Sequence, residues 1–152
     1  MTDRDGRAGY GGGTDRGVMP AYLDYERLGA GYALLWQQAR AGRRMHAYLL
    51  AGPRGVGKAT LARLVAASYF CDGLPKPCGE CDACGRVLGG NEPDVIEIYS
   101  QDEKAIPIER IREAIAQISQ HSFGNGPRVV IVEPVERLTP AAQNCLLKSL
   151  EE

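Results

Sequence analysis

No stretch of this 152-residue chain comes near the roughly 20 consecutive apolar residues that a membrane-spanning helix needs. The N-terminus also lacks the apolar core of a secretory signal. The expected setting is therefore cytoplasmic, with no membrane partner. Charge imbalance is missing too: the formal net charge is −1. That balance gives no argument for a protein that wraps DNA or coats a membrane. Contact with nucleic acid would need a local patch or neighbouring subunits. Histidine is scarce. His46 and His121 are the two present, neither has a partner at metal-ligand spacing, and both are expected to be structural.

What is there suits one globular domain. Hydrophobic residues make up 44% of the chain and charged residues 24%, ordinary values for a folded domain with a core. Five cysteines in a reducing compartment point to metal before disulfides.

Residues 1–18 stand apart, with six glycines and three Asp offset by three Arg. Such a segment buries almost nothing and is expected to be a disordered tail, or to precede a true start at Met19. The domain is expected over 19–152. Residues 21–43 read as a helix with Leu28, Leu34, Leu35 and Trp36 on its apolar side. Arg40, Arg43 and Arg44 lie at its end, where the helix dipole favours cations. Ala47–Ala51 is a short apolar run before a glycine and reads as a buried strand. Residues 58–70 follow as a helix with Leu61, Leu64, Val65 and Ser68 at helical spacing. Residues 71–93, with five glycines and three prolines, read as a loop-rich insert.

Val95–Tyr99 is a second strand. Pro107 opens a helix striped by Ile108, Ile111, Ile115 and Ile118. Residues 123–127 turn the chain into a third strand, Val129–Val132. Thr139 and Pro140 start a last helix, the first as N-cap and the second in the first turn. Strand and helix in alternation imply an α/β fold, a parallel sheet with helices on both faces. Three strands make a small sheet, and the sequence reads as part of a longer protein.

Gly52-Pro-Arg-Gly55-Val-Gly57-Lys58 fits the first seven positions of the phosphate-loop pattern G-x-x-x-x-G-K-[ST], between a strand and a helix as that motif requires. Glycines let backbone N–H groups turn inward toward phosphate oxygens. The next helix adds its positive end, and Lys58 would reach the β- and γ-phosphates of ATP. The eighth position is Ala59, whose methyl cannot ligate magnesium. Thr60 lies about 100° further round the helix. The loop is thus either a phosphate site short of a metal ligand or a turn that no longer binds nucleotide. After the third strand, Glu133 keeps a carboxylate but Pro134 has no side-chain base, and Glu136 reads as a solvated charge. These departures point to weak or absent hydrolysis.

Cys71, Cys78, Cys81 and Cys84 follow C-x6-C-x2-C-x2-C. Two overlapping C-x2-C pairs can turn thiolates around one ion, and an all-cysteine set of four is the pattern of a closed, structural Zn2+ site. The insert carrying it is set at 71–90. Disulfides or unligated thiols are the competing readings. Cys145 stands apart in the last helix and reads as a small buried hydrophobe.

Together these parts resemble the N-terminal domain of the bacterial DNA polymerase III clamp-loader subunits gamma/tau and delta prime, a P-loop domain of AAA+ type. The likeness covers about residues 20–152. It rests on HAYLLAGPRGVGK, the four-cysteine insert, PIERIREAI and NCLLKSLEE. It implies an AAA+ fold with a zinc insert, and ATP-dependent loading of the sliding clamp on primed DNA together with gamma/tau and delta. Gamma/tau keeps Ser/Thr after the loop lysine and Asp-Glu after the third strand. Delta prime tolerates loss of both. Ala59 and Glu133-Pro134 therefore place the resemblance on the delta-prime side, as a non-hydrolysing member. A sensor, an arginine finger and an oligomerisation domain would be expected beyond residue 152.

Overall fold

The computed structural model describes residues 30–100, 102, 104–124 and 126–151. The expected tail at 1–18, the alternative start at Met19 and the beginning of the first helix with Leu28 lie outside the described residues.

Helix α1 spans Ala30–Arg40. It stops at Arg40 rather than at residue 43, because Gly42 takes a left-handed conformation (φ 68°) and the last carbonyls are closed by N–H groups of the turn, Gly42 to Ala39 and Arg43 to Gln38. Trp36 is buried, as expected, with Leu35 and Ala39.

The apolar run 47–51 is a correction to the sequence reading: it forms no strand. A strand needs a hydrogen-bonded neighbour, and no ladder reaches these residues within the described part of the chain. Leu49 is exposed while Leu50 packs on the core. Among the described residues the sheet accordingly has two strands, not three.

Those two are β1, Val95–Tyr99, and β2, Val129–Glu133. They run parallel, in register from Val95 opposite Val129 to Tyr99 opposite Glu133. Helix α2 spans Lys58–Phe70, α3 spans Asp82–Leu88, α4 spans Ile108–Ile118 and α5 spans Pro140–Glu151. Helix α3 is a second difference: its seven residues, about two helical turns, sit inside the segment read as loop. Helix α4 starts one residue later than expected, with Pro107 as its N-cap. At α5 the N-cap is Thr139, whose Oγ1 accepts from the Ala142 N–H at 3.3 Å.

The alternation of the strands sorts the core onto two faces. On one face Val95, Val129 and Ile131 meet α2 and α3 through Ala66, Ala67, Val87, Cys71 and Cys84. On the other, Ile96, Ile98, Val130 and Val132 meet α4 and α5 through Ile111, Ala114 and Ala142. Ile106 and Leu138 extend this second cluster through an isolated parallel bridge. A third cluster joins α1 to α2, with Leu35, Trp36 and Ala39 against Leu61, Leu64 and Val65. Leu61 and Leu64 are fully buried, each contributing about 1.5–3 kcal/mol. The expected α/β class, with helices on both faces of a parallel sheet, is what these clusters describe.

Two polar links fix the layers. Arg63 of α2 grips Glu97 of β1 with two bonds, Nε–Oε1 at 2.8 Å and Nη2–Oε2 at 3.0 Å. The Tyr99 hydroxyl joins the pair, and the guanidinium lies 5.7 Å from the Tyr99 ring centroid. Burial pushes the Tyr99 phenol up to about 12, with the Glu97 carboxylate adding to it. The second link is Asp94, 1% exposed, which accepts N–H bonds from Phe123 at 2.9 Å and Gly124 at 3.0 Å. It faces Arg128 at 3.5 Å, whose guanidinium also bonds the Gln117 and His121 carbonyls at 2.7 and 2.6 Å.

Candidate metal centre and phosphate loop

The four cysteines of the insert converge from three local structures. Cys71 is the C-cap of α2, its N–H bonded to the Ala67 carbonyl. Cys78 follows the two prolines Pro75 and Pro77. Cys81 is the N-cap of α3, and its sulfur accepts from the Cys84 N–H. Cys84 lies within α3. Their sulfurs all sit within 4.8 Å of one another, and Cys71 and Cys81 are 3.9 Å apart. Four thiolates held at about 2.3 Å from one ion stand about 3.8 Å apart in a tetrahedron, so the donor set fits a single tetrahedral cation.

The backbone is arranged for negative sulfur. N–H groups point at three of the four sulfurs: Cys78 N to Cys71 Sγ at 3.2 Å, Cys81 N to Cys78 Sγ and Cys84 N to Cys81 Sγ, both at 3.4 Å. Gly73 lies against the same group. A Cβ at that position would stand 2.8 Å from Cys78 Sγ, so only glycine allows the approach. The thiols respond unevenly to this setting. Burial pushes Cys71 and Cys84 up. Burial opposes ionisation at Cys81 as well, but N–H donors from Cys84 and Asp72 outweigh it and bring that thiol down to about 6. A bound cation would favour the thiolate form throughout.

Cys145 lies on α5, half-buried against the second face of the sheet, and is not one of the grouped sulfurs. His46 and His121 are exposed, and neither belongs to a metal-binding group among the described residues.

The phosphate-loop residues form a turn leading straight into α2. Gly55 and Gly57 both take φ 86°, a conformation that side-chain-bearing residues rarely adopt. Lys58 is the first residue of α2, and its ammonium donates to the carbonyls of Gly52 at 2.9 Å and Pro53 at 2.8 Å. The lysine therefore lies folded over its own loop. Ala59 and Thr60 occupy the next positions of the first helical turn. Ala59 supplies no hydroxyl at the position after the lysine. Glu133 ends β2, and its carbonyl accepts from the Ser100 N–H at 3.2 Å. No hydrogen bond or ion pair joins Glu133 to Lys58 among the described residues.

The sequence reading missed the residues that support these sites rather than form them. The Arg63–Glu97–Tyr99 group ties the middle of α2 to β1. The Asp94–Arg128 pair ties the loop after α4 to the start of both strands. Neither leaves a motif, since the partners are more than thirty positions apart. Gly73 did carry a signal, a glycine two residues past the first cysteine.

Comparison with known proteins agrees with this architecture. The family described as "DNA polymerase III, delta subunit" matches residues 30–152. A DNA polymerase III subunit delta' of Pseudomonas aeruginosa is 40% identical over 126 residues, covering 77% of this chain and 38% of that protein. The subunit delta' of Bacillus subtilis is 34% identical over 120 residues, covering 78% of this chain and 36% of the relative. The subunit tau of the same species is 37% identical over 109 residues, covering 70% of this chain and 19% of the relative. The chain thus spans under two-fifths of the length of these curated relatives. None of the helices among the described residues is long and apolar enough to cross a membrane. With the family match running through the phosphate loop, the cysteine insert and both strands, the chain belongs to the DNA polymerase III delta subunit family, whose relatives here are delta-prime and tau subunits.

Proposed function

We propose that this chain is the N-terminal AAA+ part of a delta-prime-type clamp-loader subunit, one that assembles with gamma/tau and delta to load the sliding clamp on primed DNA. The observation that carries the reading is the similarity to delta-prime subunits across 77–80% of the chain. The departures at Ala59 and at Glu133-Pro134 favour delta prime over tau. Phosphoryl transfer needs magnesium held by a hydroxyl and an acidic group that orients the attacking water. Here the hydroxyl position is a methyl, and the residue after Glu133 is a proline. Gly52, Gly55, Gly57, Lys58 and Thr60 retain the means to hold the phosphates of ATP without turning it over.

The cysteine group holds zinc in a structural role on this reading. All four donors are protein thiolates, so no position is left for water or substrate. Cys71, Cys78, Cys81 and Cys84 then fasten the insert to the end of α2.

A second reading, a gamma/tau-type ATPase, draws on the tau relatives at 36–37% identity. Reconstitution separates the two. The full-length protein, mixed with gamma/tau and delta from its own source, is expected to enter one stoichiometric complex at a position that a second copy of gamma/tau does not fill. Failure to co-elute with them on size exclusion would count against any clamp-loader role. Replacement by an extra gamma/tau copy without loss of clamp loading would favour the second reading.

A further inference from the structure

We propose that metal occupancy at the four thiolates orders one face of the sheet and leaves the other two core clusters, together with the phosphate loop, unchanged. The inference rests on the metal reading above.

The thiolate group is part of the core, not an appended knob. Cys71 and Cys84 are buried in the same cluster as Ala66, Ala67, Val87 and Ile131, with Phe70, Val95 and Val129 at its edge. The cover on this face comes from the later half of α2, with Ala66, Ala67 and Phe70, and from Cys84 and Val87 of α3, which packs chiefly on α2. A helix of seven residues cannot stand alone in water, because its nucleation cost is never recovered. Three things hold α3: Cys81 caps it through sulfur, Cys84 anchors it from within, and Ala83 and Val87 are buried beside α2. Without a cation, four thiols, two of them buried, remain packed together with little to bind them, and the seven-residue helix keeps only its packing on α2. Val87, which is 1% exposed, then loses its place, and the face bearing Val95, Val129 and Ile131 loses the part of its cover that the insert supplies.

Two features stop the change from spreading. Arg63 and Glu97 pin α2 to β1 just ahead of the metal-linked half of the helix. Leu61, Leu64 and Val65 are packed on α1, and the insert reaches this cluster only at its partly buried edge, through Leu88. The cluster under α4 and α5 lies across the sheet and contains no residue of the insert.

The test is methyl-labelled NMR on the full-length zinc-loaded protein, titrated with a chelator and then resupplied with zinc. Methyl signals of Val87, Val95, Val129 and Ile131 are expected to shift and broaden on chelation and to return with zinc. Those of Leu61, Leu64, Ile98, Ile111 and Leu138 are expected to hold. Amide exchange over residues 66–71 should rise roughly tenfold or more, and over 58–62 should change less than about twofold. As a variant that keeps all four thiols, Val87→Ala should weaken zinc binding by roughly fivefold, since packing of α3 and metal binding are linked. A response confined to residues 71–90, or one that reaches Ile98 and Ile111, would overturn the inference while leaving the metal reading intact. A full-length protein that binds no zinc would overturn both.

Discussion

Gly73 stands where the cysteine group tolerates least change. A methyl there would lie 2.8 Å from Cys78 Sγ and 2.9 Å from Cys78 Cβ, distances that force the ligand to move. Gly73→Ala is expected to weaken zinc affinity on the order of tenfold to a hundredfold, as loss of a supporting contact around a metal does. Competition with a chromophoric chelator measures it. Ala59 tests the other site at the same scale. Restoring the hydroxyl in Ala59→Thr should tighten magnesium-dependent ATP binding by roughly tenfold, read by calorimetry, yet leave hydrolysis absent because Pro134 still supplies no base. Tyr99 gives a prediction in pH. Its folded pKa is about 12 against an ordinary 10.0, so the native state binds the phenolic proton more tightly than the unfolded chain. The stability this contributes is present below about pH 10 and is lost as pH rises toward 12. The melting-temperature gap between the wild-type protein and Tyr99→Phe should therefore close over that window. A gap that is constant from pH 8 to 12 would contradict the assignment.

Among elements, the two strands depend on links that no local pattern announces. Asp94 is buried at the start of β1 and faces the side chain of Arg128, which is 6% exposed. Removing one member strands the other. Asp94→Ala is expected to cost about 3–5 kcal/mol and to free the Phe123 and Gly124 N–H groups, seen as a lower midpoint in urea. The cysteine group was readable because its chemistry is local: the motif closes on itself within a dozen or so residues. Helices α2, α4 and α5 were readable from apolar period and caps. The run 47–51 was misread because being a strand is a property of a pair, and apolar composition cannot say whether a neighbour is there. Helix α3 was hidden for the opposite reason. Its sequence is too short to signal a helix, and it is held by Cys81 and Cys84 instead of by its own propensity. The four cysteines predicted a group of sulfurs; they did not disclose that two of those sulfurs sit in the main core.

At the scale of the whole molecule, the three clusters divide the labour. One seats α1 on the helix that follows the phosphate loop, one builds the cysteine group into the sheet, and one packs α4 and α5 on the far face. Helix α2 runs through the first two, with the phosphate loop at its start and Cys71 at its end. The cysteine group keeps every donor its chemistry requires. The loop before α2 keeps the glycines Gly55 and Gly57 at positive φ and Lys58 after them, but has Ala59 where the motif carries a hydroxyl. This unequal state is the basis for reading the protein as a subunit that supports an ATPase without being one. Steady-state ATP hydrolysis by the purified full-length protein tests that claim most directly. The account predicts no turnover above background with magnesium present, with or without primed DNA. Turnover on the order of 1 per second, abolished by Lys58→Ala, would contradict it.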